Sequence, residues 1–321
     1  MTIQKWAKGF VLTAAALTAS ASAFAQYSKV VVFGDSMSDT HRYHDFMKFT
    51  TGRDYPSPPS MPGRFSNGHV AVEVLAEDLN APIEVFAFSG AQSGYGTLLL
   101  IPLGVLTQVN EYLNNNAIVP SIETVPLVSS ITSLVPGTGR ADPKALHLIW
   151  TGPDDYYGIG GYNALTAYSI TANIQQAITS LYDAGARYFF VPAMPDLSST
   201  PSARLNHETK QPGYMATAAK YSAQFSVVLA KGLDAMRVKY PKARIMSFDT
   251  LSFMKAEMDK ARAQGKNLTE ACYPGGLLPT SGPRSLCPDP DNYMFWDDNH
   301  PTALANKILG DGWAKAIVYT P

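Results

Sequence analysis

The chain has 321 residues, 46% hydrophobic and 16% charged, which excludes a disordered polymer and allows one large core or two smaller ones. Lys plus Arg number 25 against 26 Asp plus Glu, a formal net charge of −1, so nucleic acid and acidic membrane surfaces are disfavoured partners. Aromatic residues make up 11%, which suits a site for apolar or amphipathic ligands and equally suits core packing.

At the N-terminus, Lys5 and Lys8 precede an apolar stretch from Gly9 to about Leu17, and Ala23-Phe24-Ala25 supplies the small-x-small pattern of a signal-peptidase site. Residues 1–25 therefore read as a secretory signal peptide and 26–321 as one domain, with a retained anchor as the competing reading. A bilayer crossing needs about 20 apolar residues, and no run of that length is present. The mature chain is expected to be secreted or periplasmic.

Val30, Val31, Val32 and Phe33 then form an apolar run that stops at Gly34, as a buried parallel strand should. Residues 97–140 are apolar with weak periodicity, and either cover an acyl pocket or complete the core. Three more strand-length runs, 145–150, 187–191 and 243–248, end at the turn residues Gly152, Pro192 and Asp249. Between them, 169–184 repeats Ile170, Ile174, Ala177, Ile178 and Leu181 at helical spacing, and 216–240 does so through Phe225, Leu229 and Leu233. Such alternation predicts an α/β fold: a parallel sheet with right-handed crossovers, helices on both faces, and active groups beyond the carboxyl ends of the strands. Nothing resembling a linker or internal repeat divides the chain. Cys272 and Cys287, the only cysteines, are expected to pair in an oxidising compartment, clipping a loop rich in Pro and Gly and stabilising it by about 3 kcal/mol.

The chemistry starts at Gly34-Asp35-Ser36, directly after the first strand, with Ser38-Asp39-Thr40 offering residues that start a helix. That position exposes a hydroxyl at the sheet edge and aims helix-start amides at nearby negative charge, although an ordinary turn with a capping Ser has the same composition. Near the other end, Asp297 and His300 are three residues apart, so on one tight turn the carboxylate can hold the imidazole Nδ1 proton while Nε2 faces outward. A Ser hydroxyl needs such a base. His41 and His44 with Asp39 and Asp45 are a weaker metal candidate, lacking a third cluster. His69, His147 and His207 read as structural or surface residues. The zinc His-Glu-x-x-His motif, the phosphate loop and the Gly-x-Ser-x-Gly elbow are absent.

Three blocks carry a resemblance. Residues 33–39 (Phe-Gly-Asp-Ser-Met-Ser-Asp), 63–68 (Gly-Arg-Phe-Ser-Asn-Gly) and 295–301 (Phe-Trp-Asp-Asp-Asn-His-Pro) are similar to the GDSL, or SGNH, family of serine esterases and lipases. Cys272-Tyr273-Pro274-Gly275-Gly276, followed by Cys287, also resembles exported bacterial phospholipases and glycerophospholipid-cholesterol acyltransferases of that family. The resemblance implies a three-layer α/β/α, flavodoxin-like fold, with Ser36 as nucleophile, His300 as general base and Asp297 as its orienting carboxylate. It implies an oxyanion hole from the Ser36 amide, the Gly90 amide and a third donor at Asp154, where the family carries Asn. An ionised Asp154 would repel an oxyanion and a neutral one would donate to it, so three readings stand: Asp154 donates as an acid, the two amides act alone, or the chain binds esters without turnover. No metal or organic cofactor is implied. The expected partner is a small-molecule or lipid ester, first a phospholipid or lysophospholipid, by hydrolysis or acyl transfer. Short-chain choline esters are the alternative, received by aromatic rings such as Trp150, Tyr156, Tyr157 or Trp296. A carbohydrate ester is less favoured.

Overall fold

A computed structural model describes residues 26–114, 139–158, 161–275 and 284–319. The signal-peptide segment and residues 115–138 of the 97–140 stretch lie outside the described residues. Strands β1 (Val30–Gly34), β2 (Ile83–Val85), β3 (Leu146–Trp150), β4 (Tyr188–Pro192) and β5 (Arg244–Phe248) form one parallel sheet in the order β2-β1-β3-β4-β5. Val32 lies opposite Val85 on one side and Leu148 on the other, and Gly34 lies opposite Trp150. The chain leaves β1 for β2 on one flank and then crosses to β3 on the other. The strand order therefore reverses at β1, where open α/β sheets place ligands.

Alternate residues of each strand face opposite sides of the sheet. Val31, Phe33, Ile149 and Phe189 pack under α3 (Val105–Asn114), α5 (Thr166–Asp183) and α7 (Tyr214–Lys239). Val30, Val32, Leu148 and Phe190 pack under α2 (Ala71–Asp78) and α9 (Ala303–Tyr319), where the Trp313 ring stands edge-on to Trp150 at 4.8 Å between centroids. Helix α8 (Thr250–Ala263) adds Phe253 and Met254 to this second face. Burial on both faces is the reason the three central strands, β1, β3 and β4, read as largely apolar runs. The result is the expected three-layer α/β/α sandwich. Within the 97–140 stretch, α3 completes the core through Val105, Leu106, Val109 and Leu113, whereas Leu98 reaches the cavity described below.

The remaining elements are α1 (Arg42–Thr51), the short α4 (Pro153–Tyr157), α6 (Pro201–Thr209) and a small parallel pair, β6 (Asn267–Ala271) with β7 (Tyr293–Phe295). Cys272 and Cys287 are joined as a disulfide directly beyond β6. The Cys272 and Tyr273 amides donate to the carbonyls of Phe295 and Trp296, which ties this clip to the loop that follows β7.

Candidate active site

Ser36 follows β1 by two residues, and the end of that strand is held from three directions. Gln108 of α3, fully buried, accepts from the Gly34 amide and donates to the Gly34 carbonyl, both at 2.9 Å, and the Phe88 amide donates to the same carbonyl. A Cβ on Gly34 would lie 2.4 Å from the Trp150 carbonyl oxygen, so strand packing at this point requires glycine. After the nucleophile turn the chain does not enter a helix at once. Asp39 accepts hydrogen bonds from the amides of His41, Arg42 and Tyr43, and α1 begins only at Arg42. The helix-start amides are therefore consumed by Asp39 and are not aimed at Ser36, contrary to the expectation drawn from residues 38–40. The Asp39 carboxylate also accepts from the Ser89 amide and hydroxyl, coupling the nucleophile turn to the Gly90 turn.

From the other end of the chain, the loop after β7 brings its imidazole to the same place. His300 Nε2 lies 2.7 Å from Ser36 Oγ, across 264 residues of sequence. Its Nδ1 lies 2.7 and 2.8 Å from the two oxygens of Asp297. Asp297 Oδ1 also accepts from the amides of Asn299 and His300, so the carboxylate shapes the turn that presents the ring. All three side chains are buried, with Ser36 the most accessible at 7%. The arrangement is that of a hydroxyl in contact with a base whose other nitrogen is held by an acid, able to generate an alkoxide-like nucleophile.

The Gly63 to Gly68 block acquires a physical role here. Phe65 stacks on the His300 ring at 4.7 Å between centroids, and Asn67 Oδ1 accepts from the Ala303 amide at the start of α9. A Cβ on Gly68 would lie 2.7 Å from the Ala303 Cβ, so the block packs directly against the helix behind the imidazole.

Around Ser36 lies a cavity of about 1080 Å³, at the carboxyl ends of the central strands. Ser36, His300, Asp35 and Asp154 line it, which brings the expected third oxyanion position into the same space as the nucleophile. Gly90 sits on an adjacent turn with φ +83°, a conformation that favours glycine, and its carbonyl accepts from the amide of the cavity-lining Leu98. Trp150, Tyr156 and Tyr157 are on the cavity wall. Trp296 is not: it is buried, its indole N–H donates to Ser60 Oγ and its ring packs on Tyr273.

Sequence reading missed the acid cluster beside the nucleophile. Asp35, Asp154 and Asp155 are all buried close together. Burial pushes the Asp35 carboxyl up to about 7, against the pull of the Met37 amide and the His300 charge. Burial also raises Asp155 to about 6, although the Ser93 amide and hydroxyl both donate to it. Asp154 is raised well above the usual carboxylate range, first by burial and then by the charges of Asp35 and Asp155. Asp154 Oδ2 and Asp35 Oδ2 have no hydrogen-bond partner among the described residues. While protonated, Asp154 is a carboxylic acid with an O–H to give, close in shape to the amide the family carries there.

His44 lies 3.3 Å from carboxylate oxygens of Asp45 and Asp54. Among the described residues no group of three or more His, Cys, Asp or Glu is arranged to hold a metal ion. No helix among them is long and apolar enough to cross a membrane.

Comparison with known proteins agrees with this geometry. The chain is 25% identical over 313 residues to the GDSL esterase/lipase APG of Arabidopsis thaliana, covering 87% of this chain and 88% of that one. It is 26% identical over 306 residues to the thermolabile hemolysin of Vibrio parahaemolyticus serotype O3:K6 (strain RIMD 2210633), covering 89% of this chain and 63% of that one. It is 25% identical over 354 residues to the phosphatidylcholine-sterol acyltransferase of Aeromonas hydrophila, covering 98% of this chain and 97% of that one. The family model for GDSL-like lipase/acylhydrolase matches residues 30–313, nearly the whole described length, and the chain belongs to that family of ester hydrolases.

Proposed function

We propose that this protein is an exported phospholipase or lysophospholipase acting through an acyl-Ser36 intermediate. The observation that carries the reading is the 2.7 Å contact between His300 Nε2 and Ser36 Oγ at the wall of a large cavity. In the first step His300 takes the hydroxyl proton as Ser36 Oγ attacks the ester carbonyl. The tetrahedral anion collapses, the carbon–oxygen bond to the alcohol breaks, and His300 returns the proton to that alcohol. In the second step water, deprotonated by His300, attacks the acyl-enzyme and releases the fatty acid. A sterol hydroxyl in place of water would make the same chemistry an acyl transfer. The amides of Ser36 and Gly90 and the protonated Asp154 carboxyl stabilise the anion. Asp297 stabilises the imidazolium that forms within each step, while His300 holds the proton.

Two observations support a phospholipid, and a third supports export. Arg204 lines the cavity with no side-chain hydrogen bond or ion pair among the described residues, leaving a cation available to a phosphate. Relatives named as a hemolysin and a phosphatidylcholine-sterol acyltransferase share the family. The disulfide between Cys272 and Cys287 suits an oxidising compartment and, with residues 1–25 as a signal peptide, export. A second reading, a short-chain choline ester, is favoured by Tyr156, Tyr157, Tyr162 and Tyr214 on the cavity wall, with the last two rings 5.4 Å apart.

The test is product analysis on a panel of phosphatidylcholine, lysophosphatidylcholine, triglyceride and choline esters, with and without a sterol. Fatty acid released fastest from the phospholipid or lysophospholipid is the expected outcome. Preference for short choline esters would replace it with the second reading. Binding without any turnover would contradict both.

A further inference from the structure

The cavity extends well past the nucleophile. One wall is a single face of α8, where Leu251, Met254 and Met258 recur at three- and four-residue spacing. Leu268 of β6 and Met294 of β7 continue the lining, in the same apolar cluster as Met254 and Met258. From Leu251 to Arg262, which also lines the cavity, α8 rises about 16 Å at about 1.5 Å per residue. Arg262 is paired with Asp259, so this end is charged and open to solvent, while behind it Leu251, Met254 and Met258 present apolar surface with the exposed Lys255 among them.

We infer that the groove between α8 and the β6–β7 pair is the acyl-chain subsite, and that Met258 and Leu268 set how long a chain it accepts. The inference rests on the ester-hydrolase reading of Ser36 and deepens it. A carbonyl at Ser36 leaves its hydrocarbon tail with a choice of direction. The Asp35 and Asp154 side of the cavity holds buried acids whose Oδ2 atoms have no partner among the described residues, and an alkyl chain there would seal them from any. The α8 side offers thioether and leucine surface and so takes the chain without that cost. A groove of this length fits a medium-length chain fully extended, with longer chains emerging past the Asp259–Arg262 pair. Methionine suits a wall that must accommodate chains of several lengths, because its unbranched side chain adjusts to irregular contacts. The alcohol part of the ester is then left on the side of Arg204 and the tyrosines.

The full chain is assayed on nitrophenyl butyrate, laurate and palmitate, with Met258→Trp and Leu268→Trp placed on two different elements so that either one alone gives the readout if the other does not fold. An indole at either position should lower kcat/KM on laurate and palmitate by about tenfold or more, the scale of steric discrimination in apolar pockets, while butyrate turnover stays within about twofold. An unchanged laurate-to-butyrate ratio in the folded variants, or an equal fall on all three esters, overturns the assignment of the groove. Butyrate hydrolysis that survives Ser36→Ala instead overturns the ester-hydrolase reading of that residue, and the groove with it.

Discussion

Ser36→Ala and His300→Ala should each lower kcat for ester hydrolysis by about 10⁴- to 10⁶-fold, and the double variant should lose little more than either alone. The reason is geometric. A hydroxyl 2.7 Å from the imidazole is a nucleophile only while that base accepts its proton, so removing either partner removes the same step. Asp297→Asn should cost less than either. The Asn299 and His300 amides would keep an acceptor at position 297, but the amide no longer stabilises the imidazolium of the transition state. Steady-state kinetics on a nitrophenyl ester measures all four proteins. Losses that multiply in the double variant would contradict a nucleophile and base acting as one unit.

The second large effect concerns the acid at the position where the family carries Asn. Burial and the neighbouring Asp35 and Asp155 charges hold Asp154 protonated well above the usual carboxylate range. While protonated, its O–H can donate to the developing oxyanion. As pH rises through that raised value the proton leaves, the donor becomes a repelling charge, and kcat should fall. Asp154→Asn cannot ionise, so it should keep activity on the alkaline side where the natural protein loses it, with the acid limb common to both. Asp154→Ala should lose about 10²- to 10³-fold on the acid side, where the natural Asp154 is protonated, the usual cost of one oxyanion donor, and the gap should close on the alkaline side. Superimposable pH profiles for the natural protein and Asp154→Asn would show that Asp154 does not act as the donor.

Local pattern carried much of this site. The central strands were legible because a strand buried on both faces is apolar at every position and ends where the chain turns, as at Gly34, Gly152 and Pro192. Ser36, Asp297 and His300 were legible from motif order and from the three-residue spacing of acid and base. Strand β2 was not, since Ile-Glu-Val is three residues of half-exposed sheet edge with no run to detect. The start of α1 was misplaced because Asp39 reads as a residue that begins a helix, yet its carboxylate reaches over three amides to a helix starting at Arg42. The acid cluster was invisible for a different reason. Asp35 and Asp154 follow two different strands, and only the neighbouring positions of β1 and β3 bring them into one cavity. The same holds for the groove, whose walls come from α8, β6 and β7.

The central claim is that the Ser36 hydroxyl carries the acyl group between the two halves of the reaction. Intact-mass and peptide mass spectrometry after rapid acid quench of a nitrophenyl ester reaction tests this most directly. One acyl mass on the peptide holding Ser36, formed at the rate of the nitrophenol burst and absent from Ser36→Ala, is the predicted result. An acyl group found on another residue, or hydrolysis at full rate in Ser36→Ala with no adduct, would contradict it.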